Sequence, residues 1–152
     1  MVYYWKHENV IDPVVWNKLI EAALQVLNIA KNEGVSLTGK DPYSDIKPLI
    51  NGEVIELNGV GDDGCEPLIL RRNPVCCEPL RRSPNCTIEG PHHIDIQDGL
   101  LRQSCKTRCK SYDIAVGAIL YLAEHLSDRQ IRVTGGGIRE DWEKTEFCTS
   151  DY

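Results

Sequence analysis

Residues 53–72, EVIELNGVGDDGCEPLILRR, contain two apolar runs separated by a segment rich in glycine and aspartate. The first run alternates apolar and polar residues, as a half-buried strand does. The segment from Gly59 to Gly64 supplies the residue types that a tight chain reversal requires. The stretch therefore predicts an antiparallel β-hairpin over residues 53–72, and the rest of the chain is interpreted around it.

An amphipathic helix is predicted before the hairpin, over residues 13–33. Apolar side chains recur there at spacings of three and four residues. Asp12 is placed to cap the helix, and Pro13 suits its first position because its φ is already helical. Gly34 is expected to end it, since glycine readily takes the left-handed conformation that follows many helices.

A second helix is predicted over residues 111–127, with Ser111 or Asp113 as its cap. A short β-branched run then predicts a strand at residues 130–134. We expect an α+β fold in which the two helices pack on a small antiparallel sheet formed by the hairpin and this strand.

The chain length of 152 residues indicates a single domain. Residues 73–98 interrupt the regular pattern with four of the eight prolines and three of the seven cysteines. We interpret them as a long irregular insertion within the domain. Residues 38–52 are predicted to be loop as well.

Charge is distributed unevenly along the chain. The net charge is −6, yet residues 70–110 have eight basic and four acidic residues, so the remainder carries −10. Non-specific nucleic-acid binding is therefore not expected. The longest apolar run, ten residues from Ile114 to Ala123, is too short to insert into a membrane as a spanning helix.

Three carboxylates lie close together in the hairpin turn and its exit, at Asp62, Asp63 and Glu66. Hard divalent cations prefer several carboxylate oxygens, so these residues are candidate ligands. The spacing differs from that of an EF-hand loop. In the favoured interpretation, the aspartates hydrogen-bond their own turn backbone.

A group of cations comes just before the second helix. Lys106, Arg108, Lys110 and Ser111 are anion-binding candidates, because a helix start attracts anions and nearby cations strengthen the attraction. The alternative is a solvated basic loop. Tyr112 follows, and we expect its ring to pack on the core with its hydroxyl in water.

The odd number of cysteines disfavours a complete disulfide framework. Zinc binding is one hypothesis, although the candidate ligands are irregularly spaced along the chain. The alternative is that the cysteines are buried or unreactive thiols. The candidate zinc ligands are Cys86, His92, His93, Cys105 and Cys109.

Aromatic residues lie near both ends of the chain, at Tyr3, Tyr4, Trp5 and Trp142. Such residues are common anchors at protein interfaces. We therefore expect the apolar N-terminal segment either to complete the core or to dock on a partner.

Several motifs occur in a fixed order: Asn58 to Leu70, Cys105 to Val116, His125, Ile131-Arg-Val133 and Glu140-Asp-Trp142. Together they resemble a family of small uncharacterised proteins of large DNA viruses and phages. Ser111 stands where the pattern has proline, and Gly135 to Gly137 where it has Ser-Asp-Gly. The resemblance implies a viral setting and brings no established activity.

We therefore predict a minor virion component or host-interaction module that acts through protein partners or self-association, without a cofactor. It would be found in the host cytoplasm or the virion, since no secretion signal is seen. One alternative is an enzyme that binds a phosphate ligand or a divalent metal through the acidic turn and the basic helix start. Another is a zinc-stabilised binding module.

Overall fold

A computed structural model describes residues 1–74, 95–97 and 100–135; for residues 95–97 and 100–102 it describes the backbone alone. A single-turn 3₁₀ helix, Gly61–Asp63, lies in the turn of the predicted hairpin. The elements in chain order are β1 (Val2–Lys6), α1 (Pro13–Asn32), β2 (Leu37–Thr38), β3 (Leu49–Ile50), β4 (Val54–Gly59), β5 (Leu68–Arg71), β6 (Asp95–Gln97), β7 (Leu100–Lys106), α2 (Asp113–Leu126) and β8 (Arg132–Gly135).

The first sheet is antiparallel, with the strand order β6-β7-β1-β8. Strand β1 lies in its interior and pairs Tyr3 with Cys105 on one side and Trp5 with Val133 on the other. All four of these side chains are buried. Alternate residues of a strand face opposite sides of a sheet, so this face of β1 belongs to the core.

The second sheet is built around β4, which pairs with β2, β3 and β5. Strands β4 and β5 form the predicted hairpin, and Leu57 opposite Leu68 is the last pair before the turn. Strands β2 and β3 are two residues long; β3 lies within the segment predicted to be loop, and β2 lies at its start.

Helix α1 begins and ends as its sequence predicts. The Asp12 side chain accepts a hydrogen bond from the Val14 amide at 2.8 Å, and Pro13 occupies the first helical position. Gly34, just past the end, has a φ of +82°. The buried face of α1, which includes Trp16, packs against α2.

Helix α2 is apolar around most of its circumference and contributes much of the core. The predicted cap is wrong, because Tyr112 occupies the N-cap position and makes no side-chain capping bond. Asp113 is instead the first helical residue, and Ser111 is exposed outside the helix.

The predicted α+β class with antiparallel strands is confirmed. The strand predicted at 130–134 exists as β8, but it lies in the sheet with β1 and β7 and not beside the hairpin. The single predicted sheet is therefore two. Strands β1 and β7 were not predicted, although they lie next to each other and organise the first sheet.

Most of the proposed insertion at 73–98 lies outside the described residues, as do residues 136–152. Within the part of the chain that the structure describes, no helix is long and apolar enough to cross a bilayer.

Candidate functional site

The acidic hairpin turn and the basic segment before α2 meet at Glu66. Its amide donates a hydrogen bond to the Lys106 carbonyl at 3.2 Å. Its carboxylate accepts one from the Lys106 amide at 2.7 Å. This reciprocal pair joins the exit of the hairpin turn to the end of β7, and so links the two sheets.

The carbonyl of Glu66 accepts two further hydrogen bonds. The Tyr112 hydroxyl donates to it at 2.7 Å, and the Cys105 thiol donates at 3.3 Å. The prediction that the Tyr112 hydroxyl lies in water is therefore wrong, since the whole residue is buried. Burial, reinforced by the neighbouring Cys105, raises the pKa of Tyr112 well above its ordinary value.

The turn itself is organised by Asn58, whose side chain is completely buried. Its amide nitrogen donates to the carbonyls of Lys40 and Cys65, at 3.1 and 3.0 Å. Its side-chain oxygen accepts from the amides of Gly59 and Cys65, at 2.9 and 3.1 Å. Asn58 thus holds both ends of the turn and one end of the preceding loop.

Two glycines of the turn are needed because the chain approaches itself closely. A Cβ at Gly59 would lie 2.2 Å from the Asp63 carbonyl oxygen, and one at Gly64 would lie 2.6 Å from the Gly59 carbonyl oxygen. Gly59 also leaves room for the Tyr112 ring. These residues of the motif therefore have a structural role.

The three carboxylates of the turn do not converge. Asp62 accepts a hydrogen bond from the Tyr43 hydroxyl at 2.9 Å, Asp63 is exposed, and Glu66 is bonded to the backbone of Lys106. Across residues 1–74, 95–97 and 100–135, no group of three or more His, Cys, Asp or Glu side chains could hold a metal ion. The predicted bonds from the two aspartates to their own turn backbone are not seen among the described residues, where Asp62 instead accepts from Tyr43. Divalent-cation binding stays a prediction.

The start of α2 already holds a carboxylate of its own. Asp113 accepts a hydrogen bond from the Thr107 hydroxyl and interacts electrostatically with the Tyr3 hydroxyl. Burial, together with the charge of Asp113, raises the pKa of Tyr3. A bound anion at this helix start would be repelled by Asp113, because like charges there oppose each other.

The four anion-binding candidates sit in the loop before this helix. Lys106, Arg108 and Ser111 are exposed and Lys110 is half-buried. Arg108 and Cys109 both have positive φ, and the Lys110 amide bonds to the Thr107 carbonyl across them at 3.1 Å. This geometry is that of a tight reversal normally made by glycine or asparagine.

The predicted interface aromatics separate into different environments. Tyr3 and Trp5 are buried, so their role as interface anchors is corrected to one in the core of the first sheet. Strand alternation explains this, because both lie on the inward face of β1. Tyr4 is half-buried on the other face, and Trp142 lies outside the described residues.

The described cysteines differ in exposure. Cys105 is buried, Cys65 is half-buried and Cys109 is exposed, and all three are free thiols. Burial raises the pKa of Cys105 well above its ordinary value, which disfavours the thiolate that zinc ligation or nucleophilic attack requires. The other proposed zinc ligands, Cys86, His92 and His93, lie outside the described residues, so zinc binding stays a prediction.

Sequence reasoning missed an exposed apolar surface beside the hairpin turn, which we call the tip surface. It consists of Tyr43, Ile46 and Val60, with 75%, 68% and 43% of their area exposed. Tyr43 and Ile46 lie in the segment predicted only as loop. The available signal was a tyrosine between Asp41 and Asp45 and an isoleucine between Asp45 and Lys47, both in a polar segment.

Comparisons with protein-family models, curated proteins and solved structures find no match to this chain. The resemblance to viral proteins thus stays a prediction that rests on the motifs quoted above.

Proposed function

We propose that this chain is a non-enzymatic interaction module that binds another protein through the tip surface. The observation that carries the proposal is that three exposed apolar side chains are displayed on loops with firmly held backbones. Exposed apolar groups that are already ordered bind at low entropic cost, because little freedom remains to be lost.

Hydrogen bonds fix the loop that carries Tyr43 and Ile46. The Thr38 hydroxyl bonds to the Ile46 carbonyl at 2.7 Å, and the Gly39 amide bonds to the same carbonyl at 2.7 Å. Asn58 holds the start of the loop through the Lys40 carbonyl. The loop is therefore anchored on both sides of its exposed residues.

The same loop is joined to the hairpin turn that carries Val60. The Gly61 amide donates to the Pro42 carbonyl at 2.7 Å, and the Tyr43 hydroxyl donates to Asp62. These bonds hold the two loops next to each other. The aromatic member of the tip surface is held at its hydroxyl end, as in a preorganised binding residue.

Charge around the tip surface indicates the chemistry of the partner. Four exposed aspartates flank the apolar residues, against two lysines. They are Asp41, Asp45, Asp62 and Asp63, with Lys40 and Lys47. A partner with an apolar depression and a basic rim fits this pattern. A second copy of this chain would bring the same aspartates face to face, so we propose a different protein.

The viral setting implied by the sequence resemblance would make this partner a virion or host protein. That extension depends on the resemblance alone. Recovery of the chain from purified particles would support the virion role.

One observation favours the enzymatic alternative: the acidic turn and the basic segment are in contact through Glu66 and Lys106. Stabilisation of the folded chain by Mg²⁺ or a nucleotide would support it, because a ligand of the native state raises the unfolding temperature. The same measurement after chelation tests the zinc module.

Site-specific photo-crosslinking tests the proposal. A crosslinking amino acid at position 43 should capture a defined partner, and Ile46→Ser combined with Val60→Ser should reduce that capture at least tenfold without lowering the unfolding temperature. Binding should also weaken at high salt, because the rim interaction is electrostatic.

Leu24, an exposed apolar residue of α1, supplies the matched control. A crosslinker at position 24 should not capture the same protein, and Leu24→Ser should leave capture from position 43 intact. Equal capture from the two positions, or full binding by the Ile46/Val60 double variant, would refute the tip surface as the binding site.

A further inference from the structure

A polar cleft of about 300 Å³ lies where the end of β1 meets the turn between α2 and β8. It collects cations that are far apart in the sequence, namely Lys6, Arg129 and Arg132. These residues are separate from the tip surface and from the basic segment before α2.

Neither arginine of the cleft has a polar side-chain partner within the described chain. Arg129 and Arg132 are exposed, and the only ion pair that joins described side chains is between Arg72 and Glu53. The β1–β8 register places Lys6 directly opposite Arg132. Arg129 and Arg132 thus give the cleft two positive charges with which no described side chain pairs.

The backbone that presents Arg129 is unusual and well fixed. Asp128 and Arg129 have φ of 51° and 63°, in a reversal that normally uses glycine or asparagine. The Arg129 amide bonds to the Glu124 carbonyl at 2.8 Å, and the Ile131 amide bonds to the Ser127 hydroxyl at 3.0 Å. A bulky residue is thus held in a conformation that is costly for it, beside two other cations.

We propose that this cleft binds the phosphate group of a small phosphate monoester. The planar guanidinium groups of Arg129 and Arg132 match phosphate oxygens in a bidentate manner, and Lys6 adds a third charge. The cleft also contains Glu8 and Asp128, which can accept hydrogen bonds from hydroxyls on the organic part of the ligand. Its volume is at the small end of the range for ligand sites.

The probes are inorganic phosphate and glycerol 3-phosphate, added to the intact chain at constant ionic strength, with chloride as the reference anion. We expect saturable changes in the amide NMR signals of residues 6–9 and 128–132. We expect glycerol 3-phosphate to bind more tightly than inorganic phosphate, because it has hydroxyls that can donate hydrogen bonds to the carboxylates of Glu8 and Asp128 in the cleft lining.

Arg129→Gly is the decisive variant. Glycine accepts positive φ without strain, so the variant should fold at least as stably as the original chain. It should lose glycerol 3-phosphate affinity at least tenfold. Arg132→Gln should reduce affinity to a similar extent while leaving the backbone pairing of β8 in place.

Arg108→Gly is the matched control, because Arg108 also has positive φ in a tight turn. This variant removes the same charge at the same kind of backbone position, and we expect its affinity for glycerol 3-phosphate to be unchanged. Loss of binding in Arg108→Gly with retention in Arg129→Gly would move the anion site to the start of α2 and overturn the proposal. Absence of saturable signal changes at millimolar glycerol 3-phosphate, or equal changes with chloride, would also overturn it.

Discussion

At the scale of single residues, Asn58 differs from the carboxylates of the same motif. All four of its side-chain hydrogen-bonding positions are filled by backbone groups of the turn and the neighbouring loop. Asp62 and Asp63 stay exposed. The sequence showed that polar residues concentrate here, but only the burial of each side chain separates the structural amide from the surface acids.

Replacement of Asn58 by Ala should destabilise the fold by about 3 kcal/mol, because buried backbone groups lose their partners. Urea unfolding followed by circular dichroism measures the change. The exposed helix residue Asn17 provides the comparison, and Asn17→Ala should alter stability by less than about 0.5 kcal/mol. A cost of similar size at both positions would contradict the role assigned to Asn58.

At the scale of elements, α1 was predicted to within a residue at each end. Its cap, its first proline and its terminal glycine are all local signals. Helix α2 was predicted from its apolar pattern. Its cap was predicted wrongly, because the Asp113 side chain interacts with Thr107 and Tyr3 instead of capping the helix. Strand β7 lacks a clear apolar–polar alternation in LLRQSCK. Its pairing with β1 therefore depends on contacts between residues far apart in the sequence, and no local pattern predicts it.

Asp12→Ala should cost about 1 kcal/mol of stability, because the Val14 amide loses its capping partner. Thermal unfolding of the purified variant measures this loss. Glu21→Ala, on the exposed face of the same helix, should change stability little. The capping role would be excluded if the two variants unfolded at the same temperature.

At the scale of the whole molecule, the two sheets and α2 meet around a small buried polar cluster. Tyr3 comes from β1, Cys105 from β7, Tyr112 from the start of α2, and Glu66 from the hairpin exit. Tyr3, Cys105 and Tyr112 all have raised pKa values, chiefly because their side chains are buried. The junction therefore depends on these groups remaining protonated.

Alkaline pH should therefore unfold this protein. Each tyrosine has a folded pKa above its ordinary value of 10.0, so its contribution is complete below that pH and is lost as pH rises above it. The loss approaches about 1.4 kcal/mol per pH unit for each tyrosine. Urea midpoints between pH 8 and pH 12 measure the slope.

Tyr3→Phe combined with Tyr112→Phe should be less stable near pH 8 and should show a shallower decline above pH 10. Tyr43→Phe, which removes an exposed hydroxyl, should keep the steep decline. An unchanged slope in the double variant would show that the cluster does not control alkaline unfolding.

The sequence by itself determined the α+β class, the hairpin, the presence of both helices and the ends of α1, because these depend on periodicity, turn residues and caps within a few residues of each other. Only the tertiary structure decided that there are two sheets, that Tyr3 and Trp5 are buried, and that Glu66 bonds to Lys106. It also placed Lys6, Arg129 and Arg132 around one cleft. These outcomes depend on which distant strands pair, and that choice follows from the burial of the whole core and not from any local pattern.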